Sequence, residues 1–181
     1  MSDVFFTSDQ HFGHRFIIEA CKRPFASVEE QTEVLIERHN KKVKAGDRVY
    51  HLGDFAFKAT VEEAYMILRR LNGQHFLIRG NHDETQDEMQ RRAILRFLKG
   101  QEPFIWIRDL DYLKVGDQAI MLCHYPMRSW KKMESGAWHL FGHCHGRLPR
   151  YGNSFDIGVD SWNFEPVSFE EVAQRMAKAE L

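Results

Sequence analysis

Cysteine is scarce. Cys21, Cys123 and Cys144 are the only three in 181 residues, and none forms a Cys-x-x-Cys pair. An odd, scattered set argues against a disulfide framework and fits a reducing compartment, so a cytoplasmic setting is expected. Long apolar runs are missing too. The first residues, Met1-Ser-Asp-Val-Phe-Phe-Thr-Ser-Asp9, carry no basic leader, and no later stretch is long and apolar enough for a bilayer. Neither sign of charge is in excess: the formal net charge is −1, which removes any bulk electrostatic case for nucleic acid or an anionic membrane. Linkers, repeats and low-complexity segments are also absent, so residues 1–181 are expected to form a single domain.

Histidine, by contrast, is plentiful at ten residues. Six of them (His11, His14, His82, His124, His143, His145) fall in or beside short polar clusters. The clusters are Asp9-Gln-His11, Gly53-Asp54, Gly80-Asn81-His82-Asp83, His124 and Gly142-His143-Cys144-His145. Each follows a run with strand character: Val4 to Thr7, Arg48 to Leu52, His75 to Ile78, Gln118 to Cys123, and Trp138 to Phe141. Capping-box patterns open helices at Ser27-Val-Glu-Glu30, Thr60-Val-Glu-Glu63 and Ser168-Phe-Glu-Glu171. A short helix is expected over Phe16 to Cys21, and a charged amphipathic one over 86–98. After Gly100 the pattern turns to strands at Phe104 to Ile107, Asp111 to Val115 and Phe155 to Val159. Alternating strands and helices, then mostly strands, predict an α/β fold of two packed mixed sheets flanked by helices.

Taken alone, each cluster has an ordinary reading. Asp-x-His can be a turn Asp beside a surface histidine, and Gly-Asp a common turn. The chemistry lies in the combination. Residues i and i+2 of an extended segment share a face, so Asp9 and His11, or His143 and His145, can address one ion. Strand ends at one sheet edge can gather all five clusters. Asp, His and Asn are nitrogen and oxygen donors for divalent metals.

In this order the clusters resemble the motifs of the calcineurin-like metallophosphoesterase superfamily: Asp-x-His, Gly-Asp, Gly-Asn-His-Asp/Glu, His and Gly-His-x-His. The likeness runs from residue 3 to about 146. Ser8-Asp9-Gln-His-Phe-Gly-His14 also looks like a small single-domain branch found in bacteria and phages. The resemblance implies a four-layer α-β-β-α sandwich. It implies two divalent ions (Mn, Fe, Zn or Ni), one held by Asp9, His11, Asp54 and His145, the other by Asp54, Asn81, His124 and His143, with Asp54 bridging. Two such ions roughly 3.5–4 Å apart acidify a bridging water and clamp phosphate oxygens. The expected reaction is phosphate-ester hydrolysis by that hydroxide, with small or nucleotide phosphodiesters as the favoured substrates. Nucleotide monoesters, DNA or RNA are alternatives, as is a non-catalytic metal-binding scaffold.

The resemblance also implies that His82 protonates the leaving group, against the plainer reading of a solvated turn histidine. His14, Arg128 and Arg147 are candidate substrate contacts, because each adjoins a motif and Arg presents a planar fork of donors. Lys58 and Arg79 share that position, and Tyr125 could stack on a base. His39, His51, His75 and His139 read as structural. One departure stands out. Gly53-Asp54 continues as Phe55-Ala-Phe-Lys58, where family members acting on phosphoproteins often carry a further Asp, so phosphoproteins are not the expected substrate and the partner orienting His82 is open.

Overall fold

The structure, a computed structural model, describes residues 2–57, 61–83 and 104–178. The helix expected over 86–98, the Thr60 cap and Lys58 lie outside the described residues. Chain order is β1 (Val4–Thr7), α1 (Arg15–Ala20), α2 (Val28–Lys42), β2 (Arg48–His51), α3 (Val61–Leu68), β3 (Gln74–Ile78), β4 (Phe104–Arg108), β5 (Leu110–Val115), β6 (Gln118–Cys123), β7 (Trp138–Phe141), β8 (Ser154–Asp156), β9 (Val167–Ser168) and α4 (Phe169–Ala177).

Two helices begin where their side chains satisfy free backbone donors. Ser27 accepts from the Glu30 amide, and the Glu30 carboxylate reaches the Ala26 amide. Ser168 and Glu171 form a reciprocal capping box at α4. In α2, Glu29 and Glu30 in the first turn and Lys41 and Lys42 in the last complement the helix dipole.

The strands form two mixed sheets. One has the order β4-β3-β2-β1-β9, parallel except for β9; the other runs β5-β6-β7-β8, with only β5 antiparallel to its neighbour. The side-chain period of two divides each strand between two environments. Val4 and Phe6, Tyr50 and Leu52, and Phe76 and Ile78 turn toward the second sheet, where Ile120, Leu122, Leu140, Phe155 and Ile157 complete one core. Phe6, Tyr50 and Phe76 occupy adjacent register positions, and their rings stack at 5.8 and 4.8 Å. The alternate residues face the helices. Phe5 and Val49 meet Val43, and Leu77 packs with Leu35 and Ile36 of α2 and Leu68 of α3. On the outer face of the second sheet, Met121 is covered by Trp130 and Ala137 of the following loop.

Two strand expectations change. The run Phe155 to Val159 keeps only β8, because Ile157 pairs with Phe141 and the chain then crosses to Ser8, where Val159 donates to its carbonyl before a 3-10 turn over Val159–Ser161. The short β9 was not expected; its two residues pair with Phe5 and Phe6. The shift to strands after residue 100 also crosses a sheet boundary: β4 extends the first sheet beside β3, and β5 opens the second.

Four buried histidines are hydrogen-bonded. Gln10 Nε2 donates to His51 Nδ1 at 3.0 Å, and His51 Nε2 lies 3.0 Å from His75 Nδ1. His75 Nε2 reaches the Leu71 carbonyl and His39 Nε2 the Asn72 carbonyl. His139 donates from Nδ1 to the Met121 carbonyl and accepts the Met127 amide. Burial pushes His39 and His75 down to about 4 and His51 well below its ordinary range. The unfolded chain therefore binds more protons than the native one between pH 4 and 6.5, so stability falls as pH drops through that window. The expected loss is on the order of 2–3 kcal/mol for each group shifted this far. His39→Gln keeps a donor for the Asn72 carbonyl but does not titrate, so urea unfolding at stepped pH should show a shallower acid slope for this variant than for wild type.

Candidate metal centre

Parallel register brings the clusters together. Thr7, His51 and Leu77 are register partners, so the segments after β1, β2 and β3 leave the first sheet at one edge. Leu122, Leu140 and Phe155 do the same for β6, β7 and β8. Ligand sites of open α/β sheets form at this carboxyl end. Backbone hydrogen bonds join the loops within each sheet, Asp9 N to Gly53 O and His11 N to Asp54 O in the first and Gly142 N to His124 O in the second, and Val159 N to Ser8 O ties one edge to the other.

The loops then turn sharply. Asp9, His11, Asp54, His143 and His145 all have positive φ, between 49° and 68°. Left-handed backbone costs a non-glycine residue roughly 1–2 kcal/mol and persists only where the surroundings enforce it. Five candidate site residues share this strain, which turns their side chains inward. Gly53, at φ +97°, passes so close to Gly80 that an added Cβ would lie 2.7 Å from its Cα and against His124 Nδ1.

The donors fall into two groups around Asp54. Asp9, His11 and His145 place one donor atom each within 4.8 Å of one another. On the other side, Asn81 Oδ1 sits 3.0 Å from His124 Nε2 and 2.9 Å from His143 Nδ1. Asp54 Oδ2 lies 3.4 Å from His11 Nε2 and 3.6 Å from His124 Nε2, between the two groups. Asp9, His11, Asp54 and His124 are buried, whereas His143 is exposed. The structure thus assembles all seven residues expected as ligands.

Protonation and hydrogen bonding fit a cation here. His11 is fully buried, yet its Nε2 has no hydrogen-bond partner. Burial drives His11 well below its usual range and also lowers His124, so both rings are neutral donors. His124 Nδ1 donates to the Leu52 carbonyl at 2.7 Å, which leaves Nε2 free to ligate. Burial, together with Asp156 and Asp54, pushes Asp9 up to about 8 against the opposing pull of His145. An orphaned imidazole nitrogen beside two enclosed carboxylates is the environment a divalent ion completes.

His82 projects a ring nitrogen to within 4.8 Å of donors on His11 and Asp54. Its amide donates to Asp54 Oδ1 at 2.8 Å, and its ring is framed by Phe57 at 4.8 Å, His11 at 5.2 Å and His14 at 5.7 Å. Among the described residues, no carboxylate hydrogen-bonds to the His82 ring, and this packed frame surrounds it. His14 packs on Phe57 and lies 3.2 Å from His11 through the two Nδ1 atoms. Arg128 is exposed and pairs with no described residue. Arg147 donates to Cys21 Sγ at 3.5 Å, and Arg79 is engaged by Asp109. Tyr125, also exposed, sets its ring edge against His124 and His143 at 5.0 and 4.9 Å.

Three supporting residues were not foreseen. The Asp83 carboxylate turns back to accept from the amides of Asp54, Phe55 and Gly80, clamping two ligand loops together. Burial and the Asp54 charge raise it to about 7, opposed by those amides. Asp160 accepts from His145 Nδ1 at 2.7 Å, and Arg23 donates to both of its carboxylate oxygens. Despite burial, the Asp160 bond pushes His145 up to about 10. The only sequence hint of Asp160 was a second Asp two residues after Gly158, outside the ligand motifs.

Comparison with known proteins identifies the family and the fold. The family model for calcineurin-like phosphoesterases matches residues 3–165. The uncharacterized protein MJ1445 of Methanocaldococcus jannaschii is 31% identical, covering 100% of this chain and 95% of its own. The Gene 66 protein of Mycobacterium phage D29 is 27% identical, with 96% of both chains covered. A crystal structure of the Aquifex aeolicus protein of unknown function AQ665 superimposes with a TM-score of 0.72 at 23% identity, covering 97% of this chain and 100% of that one, which shows a shared fold.

Gly53→Ala should strain the backbone and push on His124 and Gly80. A loss of roughly 1–3 kcal/mol is expected. Gly46→Ala, with no neighbour within 4 Å of the added Cβ, is the control. A lower urea midpoint for the first variant, beside a much smaller change for the second, is the expected result.

Proposed function

The chain belongs to the calcineurin-like phosphoesterase family, and on that premise we propose that it hydrolyses phosphate esters with two divalent ions, small or nucleotide phosphodiesters being the preferred substrates. The observation that carries this reading is the convergence of six donor residues around Asp54, with the buried His11 Nε2 left without a hydrogen-bond partner. Asp9, His11, His145 and Asp54 would hold one ion; Asn81, His124, His143 and Asp54 the other. Their mixed imidazole and oxygen character suits Mn, Fe, Zn or Ni better than Ca. Such ions, when bound, neutralise phosphate charge and acidify an attacking water. Residues 1–181 are read as one catalytic domain.

The chain's own residues supply the rest. Asp54 spans the two donor groups, so it sets their separation. The neutral imidazoles of His11 and His124 present lone pairs without a proton to displace. His82, held beside this cluster by Phe57, His11 and His14, is placed to give a proton to the departing ester oxygen. An aromatic ring flanks each end of the cluster, Phe57 by His82 and Tyr125 by His143. That supports a phosphate carrying an organic group on each side. Arg128, exposed and unpaired among the described residues, would meet a phosphate oxygen, and His14 lines the His82 side.

No described helix is long and apolar enough to cross a membrane. The net charge of −1 supplies no bulk electrostatic footprint for DNA or RNA.

The test is turnover with added Mn²⁺ of a bis-aryl diester, an aryl monoester, 2′,3′- and 3′,5′-cyclic nucleotides and single-stranded DNA. Diester turnover should be fastest and should vanish in Asp54→Ala. His82→Ala should slow esters with alkoxide leaving groups by about 10²–10⁴-fold, and nitrophenyl esters far less, because a good leaving group needs no proton. An equal loss across both ester types would remove His82 from the acid role. No turnover of any ester by a metal-loaded protein would sink the diesterase reading.

A further inference from the structure

Arg23 is an unusual residue for its position. It follows α1 in a stretch bounded by Pro24, yet its side chain is fully buried. A guanidinium has five N–H donors in a fixed plane, and each bond it makes here has a named acceptor. Nε donates to Asp160 Oδ1 at 2.8 Å. One terminal nitrogen donates to the Gln10 carbonyl and to Gln31 Oε1, both at 3.0 Å. The other donates to the Asp9 carbonyl and to Asp160 Oδ2, both at 2.7 Å. The carbonyls of Asp9 and Gln10 belong to the left-handed turn that aims Asp9 and His11 inward.

Asp160, the other half of the ion pair, passes this order to a ring. Its Oδ2 accepts from His145 Nδ1 at 2.7 Å, so that nitrogen carries the proton and Nε2 is left facing Asp9 Oδ1 at 3.9 Å. His145 is itself held in left-handed backbone and stacks on His11 at 5.2 Å. One buried cation thus bears on all three donors at this end of the cluster: on Asp9 and His11 through their turn, and on His145 through Asp160. Among the described residues, the Asn81–His124–His143 end has no such device; there His124 is fixed by the Leu52 carbonyl.

We propose that Arg23 and Asp160 are a positioning pair that sets the tautomer and aim of His145, and so governs how tightly the Asp9–His11–His145 end holds its ion. This rests on the metal-dependent reading above. A carboxylate behind a ligating imidazole typically contributes a factor of about 10–100 in metal affinity. Asp160→Asn keeps the shape but removes the charge that pairs with Arg23. An amide there can also donate to Nδ1, which favours the tautomer with its proton on Nε2 and blocks the ligating nitrogen.

Metal-stripped protein titrated with Mn²⁺ by calorimetry tests this. Wild type should bind two ions. In Asp160→Asn one step should weaken about 10–100-fold while the other holds its wild-type affinity. Arg23→Lys, which keeps the charge but offers three donors in place of five, should weaken the same step. Independently of any variant's folding, ¹⁵N-histidine spectra of Zn²⁺-loaded wild type should show His145 with a protonated Nδ1 and a metal-bound Nε2. Two unweakened Mn²⁺ steps in a folded Asp160→Asn, or a metal-bound Nδ1 in wild type, would overturn the positioning role and leave the functional reading standing. Wild type that takes up no ion would overturn both.

Discussion

Two enclosed carboxylates set the terms for this molecule. Asp9 and Asp54 are almost wholly removed from solvent at the meeting of two sheets, where an unpaired negative charge is costly. Beside them stand His11 and His124, which burial keeps neutral. Such a site asks for a cation, and nearly every irregular feature nearby serves to hold the donors in place until one arrives. The left-handed turns aim the side chains. Asp83 clamps two loops through three amides, and Arg23 holds a third through two carbonyls.

The fold supplies the rigidity this requires. Parallel strands in register end together, so five segments distant in sequence reach one edge without long excursions. Behind that edge lies an apolar core shared by both sheets, with an aromatic ladder of Phe6, Tyr50 and Phe76 across the first. Stability stored in that core offsets the strain of the turns, a division of labour common where a rigid scaffold carries a reactive rim.

The two ends of the donor cluster are built differently. One is buried and braced by a guanidinium–carboxylate pair. The other is partly open, with His143 and Tyr125 exposed and Asn81 contributing a neutral oxygen. His82 stands where Asp54, Phe57 and His14 meet. Among the described residues, its support is ring packing and the bond from its amide to Asp54.

Much of this was legible in the residues alone. The capping boxes at Ser27 and Ser168 are local hydrogen-bond patterns, so they can be read without knowing the fold. The ordered clusters could be read as well, because alternating strands ending in Asp, His and Asn have few other uses. What the chain could not disclose depends on partners far away in sequence. Arg23 and Asp160 are 137 positions apart, and each alone resembles an ordinary surface charge. Asp83 became a clamp only once its loop folded back on Asp54. The place of β4 in the first sheet, the two-residue β9 and the left-handed turns likewise follow from pairing across the molecule. Sequence determined which donors exist and in what order they come. Tertiary structure decided which of them meet around Asp54, because that rests on distances no local pattern encodes.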